Sequence, residues 1–240
     1  MSYLSIPTFV TKTKKFVENS LGFRFFIRDR IPHGVDIATD IKKFGYDIKL
    51  IIDVGANIGQ SAVQFREYFH NAKIYCFEPV KSTYEKLIIN VNDPNVICYQ
   101  MAVGSNREKA KIYLKNDSST NTMIERDSNL GYEIVSVTTL DHFTNEKRIT
   151  SIDLLKIDTE GFDFEVLKGA KILLSEERIS FIIIEVGFDP NDDRHVLFDK
   201  IRDYLADYGY FIFGIYHQRT EWSGEMKLRF ADVMFFNINK

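Results

Sequence analysis

The stretch Leu50-Ile51-Ile52-Asp53-Val54-Gly55-Ala56-Asn57-Ile58-Gly59-Gln60 constrains this chain more than any other. Its apolar run reads as a buried strand, its acid closes the strand, and its glycines turn the chain into a helix. In open parallel α/β sheets, ligands bind just beyond the carboxyl ends of such strands. Gly55 lets the backbone approach a ligand closely, and the helix that follows presents free N–H groups. The plainer reading is a strand–turn–helix in which Asp53 only caps the helix.

The acid at the strand tip narrows the ligand. A pyrophosphate cradle wants no carboxylate there, whereas a ligand carrying an amino group and a sulfonium does. The dinucleotide fingerprint is G-x-G-x-x-G with an acid about 20 residues further on; here only Gly55 and Gly59 are present. A second strand over residues 73–77 ends at Glu78-Pro79, and an acid there is placed to accept both hydroxyls of a ribose. Asp53 and Glu78 without G-x-G favour S-adenosylmethionine over a nicotinamide cofactor. The expected cofactor contacts are Asp53, Gly55, Ala56, Asn57, Gly59, Gln60, Ser61, Glu78, Pro79 and Asp158, with Ala102 and Val103 lying flat against an adenine.

The rest of the chain continues the α/β alternation. Helices are expected over 59–69 and 81–91 and a third strand over 96–101, an order that demands right-handed crossovers and a parallel sheet. Segments 110–114 and 132–137 alternate like antiparallel strands. The polar stretch 116–130 between them is too long for a hairpin turn and reads as a flap near the cofactor or substrate, with a plain surface loop as its alternative. A fourth strand covers 152–158, helices follow over 164–169 and 170–177, and a fifth strand over 180–184 runs into Glu185. Its unbroken apolar run marks burial on both faces. A helix over 194–208, a strand over 210–213, a polar loop over 217–227 holding Trp222, and an edge strand over 228–237 complete the reading.

Bulk properties exclude several classes. The 240 residues suit one α/β domain with a short extension. A formal net charge of −3 supplies no global basic field for nucleic acid. Cys76 and Cys98 fall in expected strands and form no C-x-x-C pair, so they read as buried thiols of a reducing, cytoplasmic setting. The first 15 residues hold no apolar core of signal-peptide length, and no run reaches a membrane span. Residues 8–30 form a basic amphipathic segment with Phe9, Phe16, Val17, Leu21, Phe25 and Phe26. It reads as a helix that lids the domain, and peripheral contact with a membrane or an anionic polymer is the alternative. The Asn116-Asp117-Ser118 sequon is treated as chance.

The chemistry gathers at strand ends. Lys156 and Asp158 share one strand face, and Asp158, Glu160 and Glu185 lie at the carboxyl ends of central strands, where an open sheet places its active site. Burial there raises carboxylate pKa values and lowers that of a lysine, the tuning that acid–base work needs. Methyl transfer from a sulfonium needs mainly alignment, but a hydroxyl acceptor must also lose its proton. A base within hydrogen-bond reach is worth about 10²–10⁴-fold. Asp158 and Glu160 are the first choices for that base. Lys156 holds the carboxylates or, if neutral, serves as base itself; Glu185 and His217 come second. The same three carboxylates with His217 would suit a hard divalent ion, although no compact metal spacing is present. His70, His142 and His195 receive no role.

Four segments carry a family likeness: Asp53-Val54-Gly55-Ala56-Asn57-Ile58-Gly59, Phe77-Glu78-Pro79, Val137-Thr138-Thr139-Leu140-Asp141, and Asp153-Leu154-Leu155-Lys156-Ile157-Asp158-Thr159-Glu160-Gly161 running on to Val166-Leu167-Lys168-Gly169-Ala170. Through them the chain resembles the FkbM-type methyltransferases, a group within the class I S-adenosylmethionine-dependent fold. It departs mildly at Thr159, where the family more often has valine, and at Asp163, where it more often has glutamate. The resemblance implies a Rossmann-like α/β fold, with a seven-stranded, mostly parallel sheet, its last strand antiparallel, and helices on both sides. Residues 1–48 would then be a helical extension and 49–240 the methyltransferase domain. It implies O-methylation of a hydroxyl, often on a sugar or secondary metabolite, with Asp53, Gly55, Asn57 and Glu78 on the cofactor and Asp158 and Glu160 facing the reacting centre. A small-molecule N-methyltransferase, and a module that binds the cofactor without turnover, are the alternatives. Acceptor screening separates the first. The second is disfavoured because no carboxylate of the motifs has been replaced.

Overall fold

The computed structural model describes residues 16–22, 26, 31–114, 121–124, 131–192, 194–220 and 226–239. Of the basic N-terminal segment, residues 16–21 are helical; most of the segment, the sequon and Trp222 lie outside the described residues. Helix α1 (Ile37–Lys43) begins where the Asp36 carboxylate accepts the Thr39 N–H at 2.7 Å, a side-chain cap that satisfies one orphan donor. The alternation that follows is β1 (Leu50–Val54), α2 (Gln60–Tyr68), β2 (Lys73–Phe77), α3 (Lys81–Asn90) and β3 (Val96–Tyr99). Then come β4 (Ala102–Val103), β5 (Glu108–Tyr113), β6 (Tyr132–Thr138), α4 (Leu140–Glu146) and β7 (Ile152–Ile157). The chain closes with α5 (Asp163–Lys168), α6 (Lys171–Ser175), β8 (Ile179–Gly187), α7 (Phe198–Ala206), β9 (Tyr210–Thr220) and β10 (Leu228–Asn237).

The main sheet has seven strands in the order β3-β2-β1-β7-β8-β10-β9. The first five pair in parallel, and β10 lies antiparallel to both β8 and β9. The strand order reverses at the β1–β7 boundary, the place where doubly wound sheets open a crevice. Alternation sends Ile51, Ile74, Leu154, Phe181 and Met234 to one face, under Ile41 of α1, Phe65 of α2 and Leu87 of α3. Ile52, Val54, Leu155, Ile157, Ile184 and Phe235 face the other way, against Phe143, Val166, Leu173 and Ile201 of α4 to α7. Each such side chain, fully buried, contributes about 1.5–3 kcal/mol. A small second sheet, β4-β6-β5, hangs from the end of β3 over its own cluster of Val80, Ile112, Val135 and Val137.

Several expected boundaries move. The third strand stops at Tyr99, and Ala102–Val103 leave it to pair in parallel with β6. The fifth strand runs through Glu185 to Gly187, because β10 keeps pairing with it as far as Phe230↔Gly187. The helix expected from residue 194 begins at Phe198, since Asp192 closes a turn before it by accepting the Arg194 N–H at 2.8 Å. Strand β9 extends to Thr220, so His217 lies in a strand and not in a loop. The closing strand β10 is interior and β9 is the edge. Its buried Val233, Met234 and Phe235 need cover on both faces, an apolar pattern that suits an inner strand.

Candidate active site

A cavity of about 300 Å³ opens at the carboxyl ends of β1, β2, β7 and β8. Its floor is the turn after β1. The Gly55 and Ala56 N–H groups both donate to the Phe77 carbonyl at 3.0 Å, tying the end of β1 to the end of β2. Gly55 has φ +81°, and a Cβ there would sit 1.8 Å from the Asp158 carbonyl oxygen. No other residue lets the tips of β1 and β7 come this close.

At the β2 end, Glu78 is buried, with Oε2 accepting the Asn57 N–H at 3.1 Å and Oε1 the Val80 N–H at 3.0 Å. Burial raises its carboxyl to about 7, although the two N–H donors resist that rise. Phe77, Met101, Ala102, Val103 and Ile112 make an apolar wall beside it, suited to a flat heterocycle. The Asn57 side-chain oxygen lines the cavity, is buried, and meets no hydrogen-bond partner among the described residues, a vacancy that a ligand's donor would fill. A buried acid at one end, an apolar slot next to it and an open acceptor on the turn together fit an adenosine with a polar tail.

At the β7 end, Lys156 Nζ donates to Asp158 Oδ2 at 3.1 Å and lies 3.6 Å from Asp53 Oδ1. Burial works against the lysine's charge, but the carboxylates of Asp158 and Asp53 outweigh it and hold the pKa above its usual value. Lys156 is therefore a fixed cation, and the idea that it turns over as a neutral base is corrected. Asp53 is fully buried behind it and does not line the cavity. Asp53 thus reaches the cavity only through Lys156, to which it is also cross-strand partner.

Glu160 lines the cavity with its backbone in the left-handed region at φ 54°. Asp163, also buried, holds this turn: its oxygens accept the Thr159 N–H at 2.9 Å and the Gly161 N–H at 3.0 Å. Thr122 Oγ1 donates to the Glu160 carbonyl at 2.8 Å, so the segment 121–123 closes over this side of the cavity. Of the expected flap, residues 121–124 fall within the described residues. Burial, then Asp158 and Glu185, push the Glu160 carboxyl up to about 7.

Glu185 completes the wall. Its Oε2 meets His195 Nε2 at 3.0 Å, and His195 Nδ1 meets Asp192 Oδ2 at 2.6 Å. Burial raises the Glu185 carboxyl, and the His195 imidazole opposes that rise. Sequence reasoning gave His195 no role. The Asp-x-x-His spacing of Asp192 and His195 was the only signal, and it gained meaning once β8 proved long enough to bring Glu185 beside it.

Of the residues singled out in the sequence, Gly55, Ala56, Asn57, Gln60, Ser61, Glu78, Pro79, Ala102, Val103, Lys156, Asp158, Glu160 and Glu185 all line this one cavity. Gly59 does not; its φ is +95° and it packs toward Val91 and Leu87 under the helix start. His217 does not either: it sits half exposed on the edge strand, with Nδ1 2.7 Å from Asp232 Oδ2. Among the described residues, no three acid, histidine or cysteine side chains gather in a metal-holding arrangement. No described helix is long and apolar enough to cross a membrane.

The FkbM methyltransferase domain matches residues 53–212. The chain is 25% identical over 142 residues to the hexuronic acid methyltransferase AglP of Haloferax volcanii, covering 58% of this chain and 57% of that one. It is 27% identical over 209 residues to the methyltransferase sdnD of Sordaria araneosa, covering 72% and 76%. The chain thus spans little more than half the length of AglP and about three quarters of sdnD. Among solved structures it is similar to M. capricolum TrmK bound to S-adenosylhomocysteine, at 13% identity and TM-score 0.47, over 86% of this chain and 70% of that one. The matched domain runs from the acid at the tip of β1 into β9 and takes in every strand end around the cavity. The chain belongs to the FkbM methyltransferase domain family.

Proposed function

We propose that the protein methylates a hydroxyl of a sugar, a glycan or a glycosylated metabolite. Glu160 carries this reading. A hydroxyl is a poor nucleophile until its proton leaves, and a general base works best when its pKa lies near the working pH. Glu160 lines the cavity at the end away from Glu78, and its carboxyl is raised to about 7. The similarity to AglP, a hexuronic acid methyltransferase, supports a sugar acceptor.

The residue roles follow from position. Glu78 accepts the ribose hydroxyls, Phe77, Met101, Ala102, Val103 and Ile112 enclose the adenine, and the Asn57 amide and the turn after β1 hold the polar tail. S-adenosylmethionine, when bound, supplies a methyl group already activated on a sulfonium. Lys156, held beside the buried Asp53, orients Asp158 through its hydrogen bond. Asp158 aligns the acceptor, Glu160 takes the proton from its hydroxyl, and Glu185 accepts a further hydrogen bond from it.

Calorimetry with S-adenosylmethionine, S-adenosylhomocysteine and NAD tests the foundation, with Glu78→Gln as control. Binding of the first two, weakened in the variant, is expected; binding of NAD alone would sink the reading. A mass-spectrometric transfer assay on neutral methyl glycosides, amino sugars and methyl glucuronide then tests the acceptor. A methyl ether on a neutral glycoside is the expected product, and methylation of only the amino sugars would replace the O-methyl reading.

A further inference from the structure

The loop after β8 folds back onto that strand with unusual closeness. The Gly187 N–H donates to the Val196 carbonyl at 3.0 Å, and the Phe188 N–H to the Arg229 carbonyl at 2.8 Å. A Cβ on Gly187 would lie 3.2 Å from the His195 Cβ and 3.4 Å from Asp192 Oδ2. The missing side chain makes room for this histidine and its aspartate. The His195 ring stacks on Phe230 of β10, with centroids 4.6 Å apart and planes 20° apart. The two ends of the imidazole are then fixed by different carboxylates, Glu185 on the cavity wall and Asp192 behind. His195 and Asp192 are themselves almost wholly buried, with side-chain exposures of 6% and 2%.

This clamp sits beside an electrostatic conflict. Glu185 and Glu160 line the same cavity, with Asp158 next to them and Asp232 of β10 directly across from Glu185 in the sheet register. Neighbouring carboxylates disfavour one another's charge, and a cation in contact favours the charged form of its own partner. Lys156 serves Asp158 and Asp53. Arg229, 3.9 Å from Asp192, backs the far end of the clamp. In contact with Glu185 stands His195.

We infer that His195 is a positioning residue of the methyl-transfer site: clamped by Asp192 and stacked on Phe230, its imidazolium favours the charged form of Glu185 and aims that carboxylate into the cavity beside Glu160. The inference rests on the cavity being the methyl-transfer site. It gives Glu185 a cation at its back, and the neighbours of each carboxylate are what set its protonation within one site. In support, burial alone would depress the imidazole, but its bonds to Glu185 and Asp192 push it up to about 9. Burial also works against the Asp192 charge, yet His195, the Arg194 N–H and Arg229 hold its carboxyl below the usual range.

The test is a carbon-13 titration of glutamate side-chain carboxyls in the full chain without ligand, assigned through Glu160→Gln and Glu185→Gln, with nitrogen-15 titration of His195. The expected result is an imidazole that stays protonated to about pH 9, a Glu160 midpoint near 7, and a Glu185 midpoint above that of an ordinary glutamate. In His195→Gln the Glu185 midpoint should rise by about one pH unit or more. Asp192→Asn keeps the ring on Phe230 but removes one of its anions. It should lower the imidazole pKa and move Glu185 upward in the same direction, by less. A Glu185 midpoint unmoved in both variants overturns the inference and makes His195 a packing residue. If His195→Gln does not fold, Asp192→Asn alone decides. Because no ligand is used, failure of S-adenosylmethionine to bind and failure of this titration are separate results.

Discussion

At the scale of single residues, two carboxyls raised to about 7 have different jobs in the proposed reaction. Glu78 must be ionised to accept ribose hydroxyls strongly, so affinity for S-adenosylhomocysteine should fall as pH drops below 7. Glu78→Gln should cost about 1.5–3 kcal/mol, the worth of hydrogen bonds to a charged group, read by calorimetry as a roughly 10- to 100-fold weaker Kd. Glu160 must be ionised to accept a proton, so kcat should rise with pH through 7. Glu160→Gln should lower kcat by about 10²–10⁴-fold, abolish that limb and leave cofactor Kd unchanged. An unaltered pH limb in Glu160→Gln would pass the role to another group. These residues were legible in the sequence because acids at strand tips are rare without a reason. Asp53 was legible too, but its partner was not: only the register that sets it beside Lys156 shows that it lies behind the cavity wall. His195 was illegible, because its meaning depends on a loop returning to a strand.

At the scale of elements, the turns matter more than the helices they precede. Gly55→Ala combines a positive φ with a Cβ 1.8 Å from a backbone oxygen. Neither atom can yield without parting β1 from β7, so a loss of about 2–4 kcal/mol is expected in chemical denaturation, together with lost cofactor binding. A second lock joins α1 to the far edge of the sheet. Asp40 is fully buried, and its Oδ2 accepts the Gly34 N–H at 2.7 Å and the Tyr216 hydroxyl at 3.1 Å. Tyr216→Phe leaves that buried carboxylate short of a donor and should cost about 1–3 kcal/mol without altering cofactor affinity. The β-α-β-α-β run was readable because its periods are local, 2 for strands and 3.6 for helices. The place of β10 was not readable, since a strand's neighbours are fixed by register and not by its own sequence. Read alone it looks like an edge strand, although its inner residues are as apolar as those of β8.

At the scale of the whole molecule, the raised groups act together. His195 is lifted from 6.5 to about 9, so the folded state holds its proton more tightly than the unfolded chain. That stabilisation is complete below 6.5 and is lost as pH rises through 9. Glu78 and Glu160, lifted from 4.5 to about 7, have the same sign, and their contribution falls away between those values. Thermal unfolding of the ligand-free protein should therefore shift to lower temperature as pH is raised from 5 to 9. His195→Gln should flatten the upper half of that slope; an unchanged slope would mean that its proton is not shared with the fold.

The position of β10 also governs the order in which the molecule can be finished. Strand β8 is synthesised well before residues 228–237, yet β10 is its neighbour on one side. Until that last strand emerges and threads between β8 and β9, the edge from Phe181 to Gly187 has its hydrogen-bonding groups unmet beside side chains that end up buried. Such an edge invites pairing with any other chain. During translation the nascent protein thus passes through a sticky interval that ends only when β10 has paired with β8.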